Sequence, residues 1–169
     1  QTFRGDTVDI WVSGSPGTSE EVPSVTGLQL DVALSMLNED GFTNILLRPA
    51  TPDTLSAEEQ VFKQNPSGDI SVSTDTKIEL WVCRTALGSY GADIAYNLDI
   101  SAAQSVVTVT AVTGDGIETC IFETTLAAGN QQAVSFTAYL TQAGEYECRV
   151  YVDGVEVKEK SSIMTFTIK

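Results

Sequence analysis

Apolar and polar positions recur with two different periods along this chain, and the change of period divides it. Leu30, Ala33, Leu34 and Leu37 stand at i, i+3, i+4 and i+7, which lays one apolar stripe along a short helix. Asn38 and Gly41 mark its end, since glycine accepts the left-handed backbone that a C-terminal cap requires. Residues 44–48, 61–62 and 78–82 read as strands, with Pro66 and Gly68 in a turn between the last two. From residue 92 onward the period is two. Residues 92–100, 105–112, 118–126, 132–140, 145–152 and 164–168 are rich in Val, Thr, Ile, Tyr and Phe, and turn residues separate them. Thr113-Gly114-Asp115-Gly116 and Asp153-Gly154 are hairpin signals. Such a run of short strands predicts an antiparallel β-sandwich.

The strand pattern also repeats. Val8-Asp9-Ile10-Trp11-Val12 mirrors Ile78-Glu79-Leu80-Trp81-Val82 at an offset of 70 residues, and Asp6-Thr7 and Asp75-Thr76 precede the two copies. An equal ending at a fixed spacing is a repeat signal. Residues 1–14 then read as the last strand of a preceding module, and residues 13–21, SGSPGTSEE, as a linker. The chain opens at Gln1 inside a strand pattern, which reads as a piece of a longer protein.

Between these signals lies a set of residues in a telling order. It runs Val22-Pro23, Val25-Thr26-Gly27, Leu30, Ala33, Leu37, Gly41-Phe42, Gln60-Val61, Gln64-Asn65-Pro66, Gly68 and the closing strand 77–82. This stretch resembles the PASTA domain, a small extracellular module of bacterial penicillin-binding proteins and receptor-type serine/threonine kinases. Gln29 stands where that family usually has a Ser or Thr helix cap, and Glu59 where a turn glycine is common. The resemblance implies an α+β module over residues 15–84, one helix packed on a small three-stranded sheet. Its core should hold Val25, Leu30, Ala33, Leu37, Phe42, Ile45, Val61, Ile78 and Leu80. Residues 85–169 should follow as an all-β, immunoglobulin-like sandwich, a likeness of architecture only. The resemblance further implies an extracellular, cell-wall-facing segment of a membrane-anchored kinase. It would bind peptidoglycan fragments (muropeptides) and could favour association of receptor chains. An accessory C-terminal region of a penicillin-binding transpeptidase and a purely structural stalk are the alternatives.

Composition narrows the chemistry. With 9 basic against 23 acidic residues the formal charge is -14, a surface that repels nucleic acid and anionic membrane. The chain has no histidine, and so lacks the usual general base and the commonest metal ligand. No GxSxG or SxxK context activates a serine. Glu20-Glu21, Glu39-Asp40 and Glu58-Glu59 lack the spacing of a calcium loop. The reading is therefore a non-catalytic fragment with no cofactor and no metal. Cys120 and Cys148 both fall on apolar alternation and could pair as a disulfide or serve as two buried thiols; Cys83, at a junction, reads as free. Trp11 and Trp81, at strand ends, suit module seams or sugar stacking. Arg48, Lys63 and Gln64 are the polar side chains to test first against an anionic muropeptide.

Overall fold

The computed structural model describes residues 17–52, 56–84 and 88–169. The repeated strand pattern at residues 8–12, and Trp11 with it, lies outside the described residues. Ten strands and one α-helix follow in the order β1 (Ser19–Glu21), α1 (Leu30–Glu39), β2 (Ile45–Ala50), β3 (Val61–Asn65), β4 (Ser71–Ser73), β5 (Ile78–Cys83), β6 (Tyr90–Val112), β7 (Glu118–Leu140), β8 (Gly144–Val152), β9 (Val155–Glu156) and β10 (Ser162–Ile168).

The helix ends as its sequence requires. Gly41 adopts φ +84°, its N–H donates to the Asn38 carbonyl at 3.1 Å, and the Phe42 N–H donates to Leu37 at 2.9 Å. These are the two reversed bonds of a Schellman cap. Leu37 and Phe42 are both fully buried beside it, the apolar contact that accompanies the motif. The helix packs Leu30, Ala33 and Leu37 onto a sheet ordered β3-β5-β2, in a core shared with Val22, Val25, Phe42, Ile45, Leu47, Val61, Ile78, Leu80 and Val82. All nine core residues expected from the sequence are in that cluster. β1 and β4 form a separate two-stranded ribbon.

The second half departs from six short strands. Residues 90–112 and 118–140 form two strands of 23 residues each, paired antiparallel almost end to end. The pairing slips between Leu98 and Gln104, opposite Gly129 and opposite Gln131, whose φ is +51°. Before the slip the inward residues of β6 are Ala92, Ile94, Tyr96, Leu98 and Ile100; after it they are Val107, Val109 and Ala111. The hairpin thus bends and folds both its halves over one core. Phe122 and Phe136, from opposite halves of β7, stack with ring centroids 4.0 Å apart. β10 pairs with β8 and then with the start of β6, and β8 pairs with the end of β6, which closes the far side. The region is β-rich as expected, but two long, bent strands stand where the sequence suggested four short ones.

The two cores share one sheet. β2 runs parallel to β7 through Leu46↔Glu118 and Leu47↔Thr119, so eight strands from β3 to β9 form one hydrogen-bonded array. The β2–β7 ladder stops there while the β2–β5 ladder continues to Ala50↔Cys83. Pro49 carries no N–H to offer a neighbour, and past it the two strands separate.

Candidate functional site

The face of this sheet turned away from the helix gathers charge. Lys63, Trp81 and Arg48 are direct register partners on β3, β5 and β2. The Lys63 ammonium lies 4.2 Å and the Arg48 guanidinium carbon 5.6 Å from the Trp81 ring centroid, both within cation–π range. Arg48 donates through Nε and Nη2 to Glu79 Oε1 at 3.0 and 2.7 Å, and through Nη1 to Glu123 Oε2 at 2.7 Å. Asn65 Nδ2 donates to the second Glu79 oxygen at 3.2 Å, and Thr108 Oγ1 to Glu123 at 3.1 Å. The result is a shelf across β3, β5, β2, β7 and β6 with one half-buried indole and alternating charges around it.

Burial works against the charge of Arg48, and its bonds to Glu123 and Glu79 outweigh that, raising its pKa. The same balance holds at Glu123, where burial pushes the carboxyl up and the Arg48 bond takes it below its ordinary value. Both partners therefore stay ionised. Next to the shelf Tyr151 Oη donates to Glu118 Oε1 at 2.8 Å, Arg149 Nη1 donates to the same oxygen at 2.8 Å, and the Lys77 ammonium lies 4.6 Å from the Tyr151 ring. Burial first, then the Glu118 carboxylate, hold the Tyr151 phenol well above its usual range.

Three of the residues singled out in the sequence, Arg48, Lys63 and Trp81, thus converge. Gln64 does not join them. It turns inward, where its Oε1 accepts from the Val25 N–H at 2.7 Å and its Nε2 donates to the Pro23 and Pro66 carbonyls at 3.1 and 3.2 Å. Glu79 and Glu123, the anionic half of the shelf, were missed; the alternation of β5 places Glu79 beside Trp81, but nothing local reveals that β7 lies next to β2.

The structure does not bring Cys120 and Cys148 together. All three cysteines are free. Cys120 lies opposite Thr110 and Cys148 opposite Ala111, on the two sides of β6. Two strands apart is about 9.5 Å, beyond the reach of a disulfide, and Thr110 and Ala111 alternate to opposite faces. Burial pushes both thiols up to about 11. Where β2 and β7 separate, a cleft of about 470 Å³ opens between Pro49, Arg84, Cys120, Ile121 and Tyr139. Arg84 is occupied there by Glu59, at 2.7 and 3.1 Å. No set of three or more Cys, Asp or Glu among the described residues is grouped to hold a metal ion.

Residues 20–84 match the family model described as the PASTA domain. The chain therefore carries a PASTA domain over that segment, with the shelf built on its sheet. Over 88% of this chain it is also similar to the extracellular region of the Ser/Thr kinase PrkC from Staphylococcus aureus, at 17% identity and a TM-score of 0.37; the match spans 52% of that chain. No curated protein matches the chain.

Proposed function

We propose that this chain is a non-catalytic extracellular segment that binds cell-wall fragments for a membrane-anchored bacterial serine/threonine kinase. In this reading residues 15–84 are the recognition module, residues 1–14 end a preceding one, and residues 85–169 form an appended β-rich domain. Binding would favour association of receptor chains. The observation that carries the reading is the PASTA domain itself, and the shelf supports it with a contact surface. An indole ring offers an apolar face to a sugar ring, and Lys63 offers a cation to a carboxylate. Titration with purified muropeptides, followed through backbone amide shifts, tests it. Saturating shifts centred on Lys63, Trp81 and Arg48 are expected, and Trp81→Ala should abolish them. Ligand at saturating excess without any shift would exclude the reading.

A second reading, a rigid stalk without ligand, is favoured by one observation: the sheet runs unbroken from one half to the other. The same titration separates the two.

A further inference from the structure

The cleft where β2 leaves β7 continues past Arg84. A second cavity of about 200 Å³ lies on the helix side, bordered by Leu34, Leu47, Asp115 and Tyr146, and it shares Arg84, Thr119, Leu140 and Thr141 with the first. Together they make one groove along the seam between the two cores. Its larger part, about 470 Å³, falls in the range of about 300–1,000 Å³ usual for small-molecule sites, which favour such seams. One wall is closely set: a Cβ on Gly88 would stand 1.8 Å from the Leu140 carbonyl oxygen, so any larger residue would push that wall back.

Thr119 stands at the centre of the groove. It is 6% exposed, it lines both cavities, and its hydroxyl has no hydrogen-bond partner among the described residues. A buried polar group without a partner is costly, and the groove is where a partner can reach this one. Arg84 lies beside it. Glu59 takes its Nε and Nη2 and balances its charge, which leaves Nη1 to donate to a neutral acceptor. Among the described residues no carboxylate lines the larger cavity, in a chain with 23 acidic residues. That cavity therefore offers neither an anion nor a cation an unpaired charge. Asp115, in the smaller one, already accepts from the Thr113 hydroxyl and the Ile117 N–H. Thr51, Thr141 and Tyr139 add hydroxyls at the rim. Tyr139 is 37% exposed, and its ring lies beside Gly91, its register partner on β6, where a Cβ would come within 3.3 Å of Cε1.

A hydroxyl both donates and accepts, which suits a ligand whose own groups do both. Sugar hydroxyls do; a peptide offers separate N–H and C=O groups in fixed alternation. The tyrosine ring gives an apolar face to the C–H side of a sugar. We propose that this groove binds a short uncharged oligosaccharide, with Thr119 and Arg84 Nη1 hydrogen-bonding its hydroxyls and Tyr139 packed against a ring. The site is separate from the Trp81 shelf and does not rest on the cell-wall reading.

Amide shifts of the full chain titrated with uncharged tetrasaccharides (cellotetraose, maltotetraose, xylotetraose and N-acetylated chitotetraose) test it. With at least one of them, saturating shifts centred on residues 119–121 and 137–142 are expected, away from Lys63 and Trp81. Thr119→Val removes the hydroxyl with little change of shape and should weaken binding about threefold to tenfold, while Thr119→Ser, which keeps it, should stay within about twofold of the unaltered chain. Tyr139→Ala should weaken binding about tenfold. Muropeptide shifts at the shelf are read independently, so either reading can fail alone. A groove silent with every tetrasaccharide, shifts confined to the shelf, or affinity indifferent to Thr119→Val would each overturn the proposal. So would acetylated and amidated tetra-alanine that shifts the groove where the sugars do not.

Discussion

Arg48 ties the two halves together, since its guanidinium meets Glu79 on its own side, Glu123 across the junction and the Trp81 ring between them. Arg48→Met should cost about 1.5–3 kcal/mol in urea unfolding, the range for hydrogen bonds to charged groups. Its pH signature follows from Glu123, whose folded pKa lies below its ordinary 4.5. A depressed carboxylate stabilises the fold above its unfolded pKa and ceases to do so as pH falls through the folded value. Arg48→Met should therefore flatten the acid limb of the stability profile. The thiols set the opposite limit. Cys120 and Cys148 titrate near 11, against an ordinary 9.0, so burial favours their neutral forms. The stability they contribute is whole below about 9 and fades as pH rises towards 11. In the folded chain a thiol reagent at mildly alkaline pH should leave the fully buried Cys148 unmodified, and unfolding should expose it. Sequence could nominate Arg48, Lys63 and Trp81 one by one from residue type. It could not assemble them, because their meeting depends on the β3–β5 register, which shifts between Val61 and Lys63.

At the scale of elements, two departures from the family pattern have visible consequences. The helix starts at Gln29 without any side-chain cap bond. Gln29→Ser should stabilise the fold by about 0.5–1 kcal/mol, measured as a higher urea midpoint with unchanged slope. Glu59 sits at φ +61°, where glycine is usual, while its carboxylate grips Arg84. Glu59→Gly should remove roughly 1 kcal/mol of backbone cost and lose a paired charge, leaving stability little changed. Gly41→Ala has no such compensation and should cost about 1 kcal/mol. The helix was legible because its stripe, cap and terminating glycine all lie within a dozen neighbouring positions. The 23-residue strands were not. Residues 101–104, Ser-Ala-Ala-Gln, read from the sequence as a break between two strands. They stay extended because the facing strand supplies the bend through Gly129 and Gln131, a partner no local window contains.

For the whole molecule, two buried apolar clusters stand one on each side of the change of period in the sequence. What it could not give is the seam, because the β2–β7 pairing joins residues about seventy positions apart; among the described residues two register pairs, the Arg48–Glu123 ion pair, the Lys77–Tyr151 contact and the packing of Ile117 against the first core hold it. So thin a seam should be separable. Arg48→Met combined with Lys77→Ala is expected to split one calorimetric unfolding transition into two, one for each core. The stop imposed by Pro49 also has a mechanical meaning. The two β2–β7 pairs run parallel, so a load that draws the halves apart along the strands strains both pairs at once. No continuing ladder lies behind them to take up the force. The halves would come free in one step while each core keeps its shape, making the junction the breaking point of the chain under tension.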